Sequence, residues 1–251
     1  MYAYTAMKAD GTLYAWGYDE EGGSGAPTDS GYTAVFSTQG AFAALKSSGS
    51  VAVWGNTQYG GDSSGVTCLE EQTYPERCAP TDDGYITVFS TMSAFAAIKS
   101  SGAIFAWGCD SCGGSGAPTD DGYVSIFSTV SAFAALKSGG EITAWGGGWN
   151  GGYGGAAYDN NPPPTDSGYV SISSTYYSFA ALKDSGEIRT WGDETFGGSG
   201  APTDSGYTVI YSAGQAFAAL KDDGLVVGWG VDSFGGSGEP TDTGYLSVFS
   251  C

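Results

Sequence analysis

Apolar and polar side chains along this chain fall into short runs, and the same runs return six times. In one unit, Thr33 and Val35 alternate with Ala34 and Phe36 between Tyr32 and Ser37. A period of two in β-branched and aromatic residues predicts a half-buried strand. The next run, Ala41-Phe42-Ala43-Ala44-Leu45-Lys46, carries small side chains at its centre and predicts a second strand, at the innermost and most crowded position of a radial sheet. Lys46-Ser47-Ser48-Gly49 reads as a tight hairpin with Gly in the left-handed position, repeated at Lys8-Ala9-Asp10-Gly11 and Lys221-Asp222-Asp223-Gly224. The apolar run at 51–54 then closes on Trp54 and predicts a third strand. No stretch shows helical periodicity.

The repeat sets the architecture. Lys8, Lys46, Lys99, Lys137, Lys183 and Lys221 are separated by steps of 38, 53, 38, 46 and 38 residues. Six units of 38 with insertions of 15 and 8 account for all 251 residues. The units run 1–38, 39–91, 92–129, 130–175, 176–213 and 214–251, with the insertions in the loops at 56–78 and 147–163. A unit this short cannot bury a core alone, so the units must stack as one domain over 1–251. Cys251 falls where Thr38 and Thr91 end a unit, and Met1 where Gln39 and Met92 begin one. The two ends are therefore sequential neighbours, as a ring closed by pairing its N- and C-terminal strands requires.

The run from Val35 to Gly55, with Ala44-Leu45 before the Gly49 turn, Trp54-Gly55 closing the third strand and Tyr59-Gly60-Gly61 after it, resembles the repeat of the regulator of chromosome condensation family. The resemblance covers all six units and implies an all-β propeller with three to four antiparallel strands per blade. Two departures stand out. The family commonly has His where this chain has Tyr4, Phe42, Phe95, Phe133, Phe179 and Phe217, and its blades are longer, so an outer strand is expected to be missing here. The best-known members also have one blade more than the six counted here. Nucleotide exchange in the founding member depends on insertions with no counterpart in this chain, so the likeness implies fold and not that activity.

Charge narrows the partners. A net charge of −19 repels a phosphate backbone, which argues against nucleic acid and against an anionic membrane surface. No apolar run is long enough to span a membrane, and no basic leader with an apolar stretch behind it is visible. With no His, neither a Ser-His nor a Cys-His pair exists, and no phosphate-binding Gly-x-x-x-x-Gly-Lys occurs, so no catalytic residue and no cofactor is assigned. Carboxylate pairs abound in any chain this acidic and point to no hydrolase.

Five cysteines suggest an oxidising, extracellular or cell-surface setting. Cys68 and Cys78 share the longer insertion, where a bridge would staple the loop. Cys109 and Cys112 form a Cys-x-x-Cys turn, read as a disulfide ahead of a redox pair or half of a zinc site. Cys251 is left over and is a candidate for pairing between chains.

The repeat lysines admit two readings: a ring holding an anion, or pairs with the repeated Asp29, Asp82, Asp120, Asp166, Asp204 and Asp242, the reading preferred here. Those aspartates are expected to bond their own backbone two residues on, in preference to calcium. Trp16, Trp54, Trp107, Trp145, Trp191 and Trp229 read as packing between units, whereas Trp149 stands outside the register in a Gly-rich insertion. Trp149, Tyr153, Tyr158, Asn160, Asn161 and Arg77 form the candidate binding rim, for a protein partner or a sugar ring, against folding back onto the rim itself. The function expected is a non-catalytic structural or protein-interaction module, with copies of itself among its partners, and glycan binding as the alternative.

Overall fold

In the computed structural model, residues 3–61, 78–152 and 161–250 are described. The chain divides into two compact units, Met1–Tyr123 and Val124–Cys251. The first holds β1 (Ala3–Met7), β2 (Leu13–Gly17), β3 (Tyr32–Ser37), β4 (Ala41–Lys46), β5 (Val51–Gly55), β6 (Tyr85–Ser90), β7 (Ala94–Lys99) and β8 (Ile104–Gly108). The second holds β9 (Tyr123–Ser128, starting at the boundary), β10 (Ala132–Lys137), β11 (Ile142–Gly146), β12 (Tyr169–Ser174), β13 (Ser178–Lys183), β14 (Ile188–Gly192), β15 (Tyr207–Ser212), β16 (Ala216–Lys221) and β17 (Val226–Gly230). Among the described residues these make five antiparallel sheets of three strands and one of two, β1-β2.

In every three-stranded sheet the alanine-rich strand is the middle one, as in the order β3-β4-β5. This corrects its expected place at the inner edge. Small side chains are needed there because both faces of the strand are covered by neighbouring sheets. Ala41, Ala43 and Leu45 on one face of β4 pack against Tyr85, Val88, Phe95 and Trp107 of the following sheet, while Ala44 on the other face packs with Leu13 of the preceding one. In the second unit, Ala132, Ala134 and Leu136 meet Tyr169, Ile172, Phe179 and Trp191, and Ala180 and Leu182 meet Tyr207, Ile210, Phe217 and Trp229.

The first strand departs from simple alternation. Tyr32 pairs with Lys46 but Ala34 with Leu45, a register shift repeated at Tyr85/Thr87, Tyr169/Ser171 and Tyr207/Val209. The extra residue is pushed outward, leaving Ile86 and Val170 exposed, while Tyr85 and Val88, three apart, both reach the core.

A threonine closes four of the five first hairpins, Ala213 taking its place between β15 and β16, and its role was not disclosed by the sequence pattern. Thr38 Oγ1 accepts from Ala41 N at 3.1 Å and donates to Tyr59 O at 2.9 Å, and Thr91 joins Ala94 N and Cys112 O in the same way. It ties the hairpin to the 3₁₀ turn that follows the third strand of its own sheet. The signal available was positional: Thr38, Thr91, Thr129 and Thr175 recur at unit ends.

The pairing expected to close a ring is not among the described strand pairs. The sheet at the start of the chain is β1-β2 alone, and residues 245–250 belong to no strand.

Candidate functional site

The repeat lysines are held in a clasp. Lys46, Lys99, Lys183 and Lys221 end their middle strands opposite Tyr32, Tyr85, Tyr169 and Tyr207, which begin the adjacent ones. Each ammonium stands 4.7–5.1 Å from its tyrosine ring centroid. It also pairs with Asp29, Asp82, Asp166 or Asp204 respectively, at 2.5 Å in Lys99–Asp82 and Lys183–Asp166. The tyrosine hydroxyl donates to the other oxygen of the same carboxylate at 2.8–2.9 Å. These four lysines are therefore committed to the fold.

The repeated aspartates were expected to bond their own backbone; here they accept from Tyr and Lys instead. Asp10, Asp193 and Asp223, outside that motif, do accept from the backbone N–H two residues on. The Lys ammonium, and for Asp29, Asp166 and Asp204 next the Tyr hydroxyl, hold the clasp carboxylates below their usual range. Burial first, then the bond to Asp, raises the four tyrosines. With the carboxylates about half exposed, each ion pair contributes modestly, and the contact with the ring adds about 0.5–1 kcal/mol.

A second lock joins one sheet to the next. Trp54, Trp107, Trp191 and Trp229 are buried and stack at 5.1–5.3 Å on Phe42, Phe95, Phe179 and Phe217. Their indole N–H groups donate to the carbonyls of Gly22, Gly60, Gly151 and Gly197 in the preceding sheet's loop at 3.0–3.2 Å. A buried donor and a loop carbonyl thus satisfy each other across every such junction.

Little of the candidate rim falls within the described side chains. Arg77, Tyr153, Tyr158, Asn160, Cys68 and Cys251 lie outside the described residues, and Trp149 sits on the 3₁₀ turn Gly148–Asn150. Asn161 donates through Nδ2 to Gly198 O and borders an open groove with Pro163, Asp166, Arg189, Glu194 and Asp204. Cys109 and Cys112 are disulfide-bonded across the 3₁₀ turn Asp110–Cys112, and Cys78 is also in a disulfide. Among the described residues no three His, Cys, Asp or Glu gather as a metal site, and no helix is long and apolar enough to cross a membrane.

Exposed apolar surface collects on β1-β2 and at residues 245–250. Tyr4, Met7, Tyr14 and Trp16 on β1-β2 are exposed, although the equivalent Phe95 and Trp107 are fully buried. Residues 245–250 carry Leu246 at 92% and Phe249 at 91% exposure.

Short antiparallel sheets packed face to face, one after another along the chain, are the architecture of a β-propeller. No family model matches the sequence, and no curated protein does. Among solved structures the chain is similar to the ectodomain of the receptor kinase CR4 from Physcomitrella patens, at 19% identity and TM-score 0.53 over 91% of this chain and 60% of that one. It is similar to human WBSCR16 at 16% identity and TM-score 0.55, covering 91% of this chain and 74% of that one. Prp20p from Saccharomyces cerevisiae, a protein studied for its binding to Gsp1p and histones, matches at 13% identity and TM-score 0.50, over 91% and 69%. The chain thus spans 60% of the length of the CR4 ectodomain. At these identities the likeness carries the fold alone.

Proposed function

We propose that this propeller is a non-catalytic protein-interaction module that serves as a building block of an assembly outside the cytosol. The observation that carries the reading is the apolar surface on β1-β2, where Tyr4, Met7 and Trp16 are exposed although Phe95, Ile98 and Trp107 at the equivalent positions are buried. Exposed contiguous apolar surface on a strongly charged protein marks a place for a partner. Two further points support it. The four clasp lysines and four of the repeat tryptophans are spent holding sheets together, which leaves the scaffold no basic ring for an anion. The bond between Cys109 and Cys112 fits an oxidising compartment. Protein binding by the structural neighbour Prp20p is in keeping with it.

Negative-stain electron microscopy of the native protein, with and without reductant, tests this reading. Extended or multi-copy particles are expected. Isolated particles of single-chain size at every concentration would overturn it. A glycan ligand has no specific support among the described side chains.

A further inference from the structure

We propose that the bridge between Cys109 and Cys112 is a thiol-exchange site: a dithiol partner opens it by attack on Cys109, and it recloses without unfolding of the chain. The proposal goes beyond the interaction role above and does not rest on it.

The fold does not ask for these cysteines. They stand at the start and end of the turn that follows the third strand, where other units carry Tyr18 and Glu21, Asn56 and Tyr59, or Asp193 and Phe196. No chemistry is common to those pairs, yet the turn is the same. Cys112 N donates to Cys109 O at 3.0 Å and Gly114 N to Cys109 O at 2.8 Å. Without any cysteine, Tyr59 N donates to Asn56 O at 3.0 Å and Gly61 N to Asn56 O at 2.9 Å. Cys109 N is held on Ser93 O at 2.9 Å, as Asn56 N is on Gly40 O at 2.9 Å. Thr91 Oγ1 donates to Cys112 O at 3.0 Å, matching Thr38 Oγ1 on Tyr59 O at 2.9 Å.

A bridge over so short a loop constrains the unfolded chain least, and here it orders a turn that is already ordered. It therefore adds little to the fold, and by linkage the fold does little to protect it from reduction. Opened, it leaves both thiols on a turn that the backbone still holds, with Cα atoms 5.2 Å apart in the closed form, inside the span a disulfide needs. The pair can open and reclose while the fold stands.

The surroundings admit a thiol from one side. Cys109 and Cys112 are half-buried, and Ser111 between them is exposed. Cys109 lines an open pocket of about 430 Å³ together with Gln58, Tyr59 and Ser93, whereas Cys112 does not. An incoming thiolate thus meets Cys109 Sγ, and Cys112 Sγ is the sulfur that leaves. Ser111 Oγ stands 3.6 Å from Cys109 Sγ and 3.9 Å from Cys112 Sγ, within hydrogen-bond reach of either. A hydroxyl donated to the departing thiolate favours its charged form.

One thiolate of the dithiol bonds to Cys109 Sγ while the bond between Cys109 and Cys112 breaks; Cys112 Sγ leaves with the electron pair and takes up a proton. The second thiolate then bonds to the partner's first sulfur, and Cys109 Sγ leaves and is protonated in turn. The pair has gained two electrons and two protons, and the dithiol, having lost both, is a disulfide. An external disulfide runs the same steps backwards and recloses the bridge.

The test uses the full-length chain under native conditions, with dithiothreitol as the dithiol. Samples are alkylated at intervals and the labelled cysteines mapped by mass spectrometry, while tryptophan fluorescence follows the fold. Cys109 and Cys112 are expected to label while the fluorescence stays native, and to lose that labelling after transfer into oxidised glutathione. Labelling that appears only as the chain unfolds would overturn the proposal, as would a reduced pair that does not reclose. Two variants check the direction of attack, each with native fluorescence confirmed first. Towards an aromatic disulfide reagent, Cys109 in Cys112→Ser is expected to react about tenfold or more faster than Cys112 in Cys109→Ser. Equal rates, or the reverse order, would overturn attack at Cys109.

Discussion

Replacing Gly151 with alanine measures how tightly one sheet is seated on the next. Gly151 has φ +88°, and a Cβ there would lie 2.6 Å from Cδ2 and 2.9 Å from Cε2 of Phe179. The ring cannot yield, because Phe179 is fully buried and stacked at 5.1 Å on Trp191. Gly235 is the matched control: φ is +93° and nothing lies within 4 Å. The left-handed backbone costs an alanine about 1–2 kcal/mol, offset by about 0.4–1 kcal/mol from the stiffer unfolded chain. Both terms apply to both sites and cancel in the comparison. Overpacking applies to Gly151 alone, at about 1–3 kcal/mol. Gly151→Ala should therefore unfold about 1–3 kcal/mol more easily than Gly235→Ala, or several degrees lower at ~2–4 °C per kcal/mol. Urea unfolding followed by tryptophan fluorescence, at a dilution that keeps chains apart, reads the difference. In a double-mutant cycle Phe179→Ala should remove most of the excess. Equal costs at the two glycines, or a null coupling with Phe179, would refute the packing argument.

Three further predictions follow from the same geometry. Trp191→Phe removes the 3.0 Å bond to Gly151 O and should cost about 1–3 kcal/mol in urea unfolding, while Trp16→Phe in the isolated chain should stay within about 0.5 kcal/mol. Cys109→Ser with Cys112→Ser should cost less than about 1 kcal/mol by thermal melting. The turn it staples recurs without a disulfide: Cys112 N–Cys109 O is 3.0 Å, as is Tyr59 N–Asn56 O. Thermal stability should be flat between about pH 5 and 9, since no His titrates there. The clasp aspartates have folded pKa values below their unfolded ones, so their contribution is present above about pH 4 and lost as pH falls through the folded values. The clasp tyrosines are raised, so theirs is complete below about pH 10 and lost as pH rises towards the folded values; in a spectrophotometric titration Tyr32, Tyr85, Tyr169 and Tyr207 should ionise last. A stability change centred between about pH 6 and 8 would contradict this account.

Much of the architecture was legible because the chain states it six times. The strands, the hairpin glycines and the packing role of Trp54 and its equivalents follow from apolar period and repetition. What the pattern missed depends on neighbours outside a single strand. Alanine at positions 43 and 44 reports that both faces are covered, and that demand is the same at the inner edge of a ring and in the middle of a sheet. The bulge at Tyr32/Ala34 is set where Tyr32 meets Lys46 on the adjacent strand, so alternation inside Tyr32–Ser37 does not reveal it. Asp29 lies next to the turn its type favours, yet a lysine 17 residues on claims it. The candidate rim was read from departures from the repeat, and most of those departures fall outside the described residues.

The clasp explains why identity between units is informative about the edges. Its three members come from a loop, the first strand and the second strand, so any cut through the repeat between first and second strands divides it. Asp242 and Tyr245 remain on one side of that cut and Lys8 on the other. The tryptophan lock is divided in the same place, with Gly235 on one side and Tyr4 and Trp16 on the other. Within the chain, the seating of one sheet on the next is set by the interactions that hold β4 to β3 and Trp54 to Gly22. Lys183→Glu, which breaks a complete clasp, should therefore lower stability in urea unfolding by more than Lys8→Glu, whose lysine makes no ion pair among the described residues.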